Sequence, residues 1–442
     1  MPIRLLPLIA ALWVLLLIPA GARAADYVPD QVIVKYAQGV GGGVAANVAA
    51  DAGAAPVADL PGGSEQLKIE DGESVRATVA ELRQDPNVEY AVPNWKAHAA
   101  AVAPNDPGWS LQWNMGGTNG INLVDAWTEA AALGAPGGRG AVVALLDSGV
   151  AYERHGRYRR APDLRRSTFI HPWDFIERDR HPNDVYGHGT HVAGTIAQTT
   201  NNGLGTAGIA YNAKIIPLRV LDSFGDGDSA EIARAIRYAV RYHADVINLS
   251  LEFPPEVRPS EIPDVVSAIH LANRRGVVVV AAAGNQEDVA VAYPARVKSV
   301  IAVGATTFNG CQAWYSNGGR GLDISAPGGG GDASNSDSVW DAAHCNPDAR
   351  GRSIVQETFT SGVQRFGLPR DYKGTSMASP HVAAVAALLI ATKRLGPHPS
   401  PREVEARIKE TARPTDRPDR YGAGLLDAAA ALSSAPSTPA RR

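Results

Sequence analysis

Apolar and polar residues follow more than one period along this chain, and the changes of period mark its organisation. GAVVALLDSG, AKIIPLRVL, ADVINLSL, GVVVVAAAG and SVIAVGA are near-continuous apolar runs. Runs of this kind read as strands buried on both faces, as in a parallel sheet covered by helices. Helical patterns lie between them, including SAEIARAIRYAVRYHA and DVVSAIHLANRRG. The second ends with Arg274 and Arg275 before Gly276, a basic last turn and a glycine cap. This alternation, from about Asn105 onward, predicts an α/β fold with a doubly wound, mostly parallel sheet flanked by helices. Ligands on such sheets sit beyond the carboxyl ends of the strands. Asp147, Ser250 and Asn285 all fall at strand ends.

A different pattern precedes this region. QVIVKY, Gln31 to Tyr36, alternates like a half-buried strand. SVRATVAELRQDP, from Ser74, reads as an amphipathic helix stopped before Pro86, and VEYAVPNW as another strand. Residues 25–103 are therefore expected to form a small α+β unit, either a propeptide or a permanent accessory domain. The Ala-rich AHAAAVAP at its end reads as an accessible linker.

The first 24 residues read as a secretory signal. Arg4 supplies the positive charge, Leu5 to Ile18 is an apolar run of about fourteen residues, and Ala22-Arg23-Ala24 is an A-x-A cleavage pattern. The alternative is an uncleaved anchor, but the run is shorter than the roughly 20 residues needed to span a bilayer. No later segment is apolar enough to span. Residues 104–432 then form the main domain. Residues 433–442, SSAPSTPARR, make a disordered tail.

Composition narrows the function. The chain has 442 residues, 45% of them hydrophobic, which is ample for two domains and a large core. A net charge of -3 with scattered Lys and Arg gives no field or motif for nucleic acid. Cys311 and Cys345 are the only cysteines. In an exported chain they are expected to pair; two separate buried thiols are the alternative.

Four stretches carry chemistry. Asp147 ends the strand in VVALLDSGV, where a buried carboxylate can orient a histidine, although Asp in a strand-end turn is common for structural reasons alone. His188 lies in GHGTHVAG, an abrupt entry into an apolar helix. Gly187 and Gly189 are expected to permit a tight turn and keep bulk off the ring. The helix N-terminus should favour a base that starts neutral. His191, inside the helix, reads as a packed, hydrogen-bonded histidine. A metal reading of H-x-x-H lacks the spacing and the Glu of H-E-x-x-H.

Ser376 opens the helix in GTSMASPHVA, where developing negative charge is stabilised. Pro380 falls in the first turn or just beyond. A plain N-cap role for Ser376, Thr375 or Ser379 is the alternative. Asn285 ends VVVVAAAGN and can donate to an oxygen that becomes anionic, with the Ser376 N–H as second donor. The order Asp, His, Ser is one of three unrelated orders known for nucleophilic serine chemistry. The agreement of all four contexts is what separates this reading from a chance scatter.

Together these motifs resemble those of the subtilisin-like serine proteases. The likeness covers nearly all the chain after the signal: DQVIVKY and VEYAVPNW are similar to the inhibitory propeptide, NDPGWSLQWNM to the start of the mature domain, and YGAGLLDAAAAL to its end. The resemblance implies a triad of Asp147, His188 and Ser376 with Asn285 in the oxyanion hole. It implies a propeptide that assists folding, caps the cleft and is removed between Ala97 and Asn105.

It also implies substrate bound as an added β-strand. Ser250 and Leu251 would form one wall and Gly225, Asp226 and Gly227 the other. Ala282, Ala283 and Gly284 would line the primary pocket, closed near Ala292. Glu252 stands where relatives commonly have Gly, which narrows the pocket mouth and makes it more acidic. Asp226, Asp228 and Glu287 add to that field, suggesting a tilt toward basic substrates. Ser229 takes the place of a larger aromatic, and Lys373 that of a Ser before GTSMA.

TNNGLGTAG resembles the family's cation-binding loop. Side chains of Asp106, Asp163 and Asn202, with main-chain oxygens of Thr200, Leu204 and Thr206, would give an oxygen shell suited to Ca²⁺. The alternative is a turn-rich loop without metal.

The sequence thus points to a secreted endopeptidase, extracellular or periplasmic, expected to be monomeric. It would act on polypeptide substrates, bind its own propeptide, and have no nucleic-acid partner and no stable membrane anchor. The rivals are a catalytically silent peptide-binding protein and an esterase. The G-x-S-x-G elbow of α/β-hydrolases is absent around Ser376.

Overall fold

In the computed structural model the chain divides into two compact units, Met1–Ala99 and Ala100–Arg442. The structure describes residues 27–95, 103–333, 345–347 and 350–434. The expected signal peptide, most of the AHAAAVAP linker and most of the C-terminal tail lie outside them.

The first unit is a four-stranded antiparallel sheet with two helices. Its strands are β1 (Tyr27–Tyr36), β2 (Ala54–Leu60), β3 (Ser64–Ile69) and β4 (Val88–Trp95), in the order β2-β3-β1-β4. Alternation in β1 buries Val32 and Val34 against Leu67, Val79, Leu82 and Ala91. Helix α2 (Val75–Leu82) is capped by Ser74, whose side chain accepts from the Ala77 N–H, and it stops short of Pro86. Helix α1 (Gly42–Asp51) was not anticipated from sequence. Its buried positions Ala45, Val48 and Ala49 are spaced for a helix, but the glycines before them read as loop.

The second unit is built on one eight-stranded sheet. After helix α3 (Leu123–Ala132) come β5 (Val142–Asp147), the short β6 (Thr168–Phe169) and β7 (Trp173–Asp174), helix α4 (His188–Ala197) and β8 (Lys214–Arg219). Helix α5 (Ser229–Arg241), β9 (Val246–Leu249), helix α6 (Pro263–Arg274), β10 (Val278–Ala282), β11 (Val300–Thr306) and β12 (Ile324–Pro327) follow. The order is β12-β11-β10-β9-β5-β8-β6, with β7 also on β8, and all pairs are parallel. Pro217, which has no N–H to give, sits in β8 between the residues paired with β6 and those paired with β7.

Strands β5, β8, β9, β10 and β11 each feed two cores. In β5, Val143 and Leu145 face the core shared with α3 and α4, and Ala144 and Leu146 face the one shared with α5 and α6. That is why these runs are apolar without a break. Strand order reverses around β5, which lies between β8 and β9, so the crevice beyond its carboxyl end is where a ligand site is expected.

A hairpin of β13 (Thr358–Ser361) and β14 (Arg365–Gly367), unread in the sequence, precedes helix α7 (Thr375–Ala391). That helix is buried almost all round and contributes to the larger core from Met377 to Leu389. Cys311 and Cys345 form a disulfide with Cα atoms 5.8 Å apart.

Candidate active site

Asp147 closes β5 with its carboxylate fully buried. One oxygen accepts from the Ser148 N–H at 2.7 Å and from His188 Nδ1 at 2.7 Å. The second oxygen has no partner. A carboxylate can only accept, so the proton of the neutral ring sits on Nδ1 and Nε2 is left as the basic nitrogen.

His188 is the first residue of α4, entered through Gly187 at φ 99°. Gly189 serves a purpose other than the expected clearance of the ring: a Cβ there would run into the Gly149 carbonyl. Asp184, which sequence reasoning missed, holds this turn. It accepts from the N–H groups of Tyr186 (2.9 Å), Gly187 (2.8 Å) and Thr190 (2.8 Å), and from the hydroxyls of Ser148 (2.9 Å) and Thr190 (2.6 Å).

Burial pulls the His188 pKa down, but the charge and hydrogen bond of Asp147, joined by the Asp184 charge, outweigh it and leave the pKa above 6.5. The helix end was expected to dominate in the other direction; two carboxylates at short range win. His191 is the packed histidine expected. Nε2 lies 3.0 Å from the Ile354 carbonyl, the ring stacks on Tyr372, and burial pushes the pKa down to about 3.

Ser376 is the second residue of α7, whose N-cap is Gly374 with no side-chain cap. Pro380 lies inside the helix. A proline cannot donate to the carbonyl four residues back, so the Ser376 C=O lacks its helical partner. The Ser250 hydroxyl donates to it instead at 2.9 Å. Asn248 Nδ2 donates to Ser250 Oγ at 2.9 Å, and Ser379 Oγ lies at the same distance. Thr375 does not take the alternative capping role and instead holds Asn285. Its N–H (2.8 Å) and hydroxyl (3.1 Å) both donate to Asn285 Oδ1, and its hydroxyl accepts from the Gly284 N–H. This fixes the amide with Nδ2 directed away from Thr375. The Ser376 hydroxyl and the His188 ring are not hydrogen-bonded in this structure. Their helices, α7 and α4, pack against each other.

The cleft walls expected from sequence lie at strand ends. Ser250 and Leu251 follow β9 and are buried, and Ala282 and Ala283 at the end of β10 are buried beside them. Ala292 is joined to this wall by its N–H, which donates to the Ala283 carbonyl at 2.8 Å. Gly225 packs by Tyr186, and a Cβ on Gly227 would meet the Val220 carbonyl. Asp226 is exposed. Asp228 caps α5 by accepting from the Glu231 N–H, and Ser229 is the first residue of that helix. Lys373 reaches over the Trp314 ring at 5.8 Å. Glu252 turns its carboxylate onto Asn285, 3.1 Å from the backbone N and 3.4 Å from Nδ2.

The loop resembling a cation site is organised around two buried carboxylates. Asp106 accepts from the N–H groups of Asn201 (2.9 Å), Asn202 (3.0 Å) and Gly203 (3.2 Å). Asp163 accepts from Asn202 Nδ2 (2.6 Å) and the Thr206 N–H (2.8 Å). Burial pushes the Asp163 pKa up to about 6, against the effect of these hydrogen bonds. Glu357, not anticipated, accepts from the Asp163 N–H at 2.8 Å, and its pKa is pushed up to about 7, chiefly by burial. Among the described residues no cationic side chain pairs with Asp106 or Asp163. Among the described residues no group of three or more His, Cys, Asp or Glu gathers that could hold a metal.

A carboxylate-bound imidazole, a serine at a helix N-terminus and a fixed amide, on the carboxyl edge of a doubly wound parallel sheet, define a serine hydrolase. Residues 138–424 match the model of the subtilase family, and residues 18–94 match the fervidolysin N-terminal prodomain. The chain belongs to the subtilase family of serine proteases. It is 35% identical to the extracellular protease of Xanthomonas campestris pv. campestris, matching 80% of this chain and 61% of that one. It is 34% identical to the thermophilic serine proteinase of a Bacillus species, over 87% of this chain and 82% of that one. Among solved structures it resembles a protease of Pseudoalteromonas arctica PAMC 21717, with a TM-score of 0.60, 33% identity, and coverage of 75% of this chain and 99% of that one. Among the described residues no helix is long and apolar enough to cross a membrane.

Proposed function

We propose that this chain is made as a propeptide-inhibited precursor and acts, after the propeptide is removed, as a secreted serine endopeptidase. Ser376 Oγ attacks the scissile carbonyl and His188 Nε2 takes its proton. Asp147 holds the ring and stabilises the imidazolium. Asn285 Nδ2 and the Ser376 N–H receive the oxyanion. The proton returns from His188 to the leaving amine, and water then hydrolyses the acyl-enzyme. The observation that carries this reading is the 2.7 Å bond from His188 Nδ1 to the fully buried Asp147 carboxylate, whose one other hydrogen bond is from the neighbouring Ser148 N–H. The serine–imidazole bond forms when substrate closes the cleft, since such bonds tighten in the Michaelis complex.

Substrate lies extended between Ser250–Glu252 and Gly225–Gly227, its side chain entering the pocket of Ala282, Ala283, Gly284 and Ala292. The domain limits follow: signal 1–24, propeptide 25–103, peptidase 104–432 and tail 433–442. The naming of relatives as extracellular proteases supports export of this one. A monomer acting on polypeptides, with its own propeptide as the first partner, fits this reading.

Ca²⁺ fits the loop of residues 200–206. Asp106 and Asp163 are buried carboxylates with no cationic partner among the described residues, and carboxylate oxygens are the ligands Ca²⁺ prefers. Asp106, Asp163 and Asn202 would hold the ion by side chains, and Thr200, Leu204 and Thr206 by carbonyls; the Asn202 amide would turn to do so, since Nδ2 now donates to Asp163 and Oδ1 accepts from the Leu204 N–H. The ion's contribution is structural: it ties the loop to both aspartates.

The test is expression of wild type beside Ser376→Ala, with the propeptide followed on a gel and Ser376 probed by an active-serine phosphonate. Wild type should release the propeptide and take the label, and Ser376→Ala should do neither. Equal release from both would rule out autocatalytic maturation, and an unlabelled wild type would rule out the assigned nucleophile.

A further inference from the structure

We propose that Glu252 selects substrates with Arg or Lys at P1, the residue whose carbonyl is attacked, and that the P1 cation draws the Glu252 carboxylate off the oxyanion-binding amide. This rests on the assignment of Asn285 and Ser376 above.

Glu252 does not point to solvent like an ordinary loop acid. Its carboxylate accepts from the Asn285 N–H at 3.1 Å and lies 3.4 Å from Asn285 Nδ2. It lies over Gly284, where a Cβ would come within 2.6 Å of Oε2; Gly284 has φ 112°. The carboxylate therefore occupies the space between the ends of β9 and β10, against the amide assigned above to the oxyanion. Among the described residues no Lys, Arg or His pairs with it. The other acids near the cleft are placed differently. Asp228 caps a helix, and Asp226 and Glu287 are exposed.

An unpaired carboxylate on the amide that must receive an oxyanion opposes catalysis, because it takes the donor's hydrogen bond and repels the developing charge. The walls beside it, Leu251, Ala282 and Ala283, are buried and apolar and supply no counter-charge. The cation must come with the substrate. The long stem of Arg or Lys fits an apolar-walled pocket, and its charged head pairs with the carboxylate. An aliphatic P1 residue would bury the Glu252 charge without a partner, and an acidic one would add repulsion.

The test uses peptide substrates identical except for Arg, Lys, Leu or Glu at P1, assayed with mature wild type and Glu252→Gln. Wild type is expected to favour Arg and Lys over Leu in kcat/KM by roughly tenfold to a hundredfold, the span of one charge-assisted pair. Part of the gain should lie in kcat, because the cation also frees the amide. Glu252→Gln keeps the shape and loses the charge, so its Arg-to-Leu ratio should fall toward unity. Wild type that cleaves the Leu peptide as well as the Arg peptide, or a Gln variant that keeps the full ratio, overturns the proposal while leaving the protease assignment intact. A gain confined to KM overturns the link to Asn285. No turnover of any peptide and no phosphonate label on Ser376 would remove the protease assignment and this proposal together.

Discussion

The Ser250 hydroxyl donates to the Ser376 carbonyl at 2.9 Å, filling the place left empty by the missing N–H of Pro380. The side chain of a residue expected only as a cleft wall therefore supports the backbone of the proposed nucleophile from behind. Ser250→Ala leaves a buried carbonyl unsatisfied and should cost about 1–3 kcal/mol of stability. The first turn of α7 is then free to shift, so kcat should fall while KM changes less. Denaturant unfolding and steady-state kinetics on one peptide check both. A variant of wild-type stability would show that water replaces the hydroxyl.

Asn285→Ala removes one oxyanion donor. The expected loss is about 10²–10³ in kcat with KM little changed; this magnitude comes from subtilisin, a member of the same family, and not from the present geometry. The Thr375 N–H and hydroxyl also lose their acceptor, so a stability loss of about 1 kcal/mol should accompany it. Parallel loss in KM alone would place Asn285 in ground-state binding.

His188 must be neutral to accept the serine proton. Its pKa is raised above 6.5 by Asp147 and Asp184 against the pull of burial. The acid limb of kcat/KM should therefore lie above pH 6.5, with activity lost as the pH falls through it. Asp147→Asn should move that limb down as well as lowering kcat. The stability contribution has the opposite sense. It is present in full below the unfolded-state pKa and is lost as pH rises through the folded-state value. A pH–rate profile with its limb at or below 6.5 would contradict the assigned pairing.

Chelation should destabilise the peptidase domain if Ca²⁺ holds the 200–206 loop. A site saturated at a hundred to a thousand times its Kd contributes about 3–4 kcal/mol, on the order of 10 °C in Tm. Calorimetry of the mature enzyme with and without chelator measures it, and Asp163→Ala should abolish the difference. An unchanged melting curve in chelator would mean that the loop holds itself closed by the hydrogen bonds to Asp106 and Asp163.

The parts legible in sequence are those with a local cause. Val143 to Leu146 and Val278 to Ala282 announce doubly buried strands because both faces of each strand meet apolar cores. Asp147, His188, Asn285 and Ser376 are legible because each stands at a strand end or helix start within a distinctive motif. Helix α1 was hidden by the glycines before it, and the β13–β14 hairpin by a segment of mixed polarity. Ser250 and Glu252 show the other limit, since their partners Ser376 and Asn285 lie 126 and 33 residues away in the chain.

The amino-acid sequence by itself determined the fold class and the proposed catalytic residues with their order, because burial on two faces and a turn before a helix each leave a short-range trace. Only the tertiary structure decided which partners complete the site. Asp184 braces the turn before His188, Ser250 satisfies the carbonyl behind Ser376, Thr375 orients Asn285, and Glu252 reaches that same amide. Each of these hydrogen bonds forms once the ends of separate strands are brought to one edge of the sheet or a loop folds back on itself. A short-range pattern of polarity carries no information about contacts made in that way.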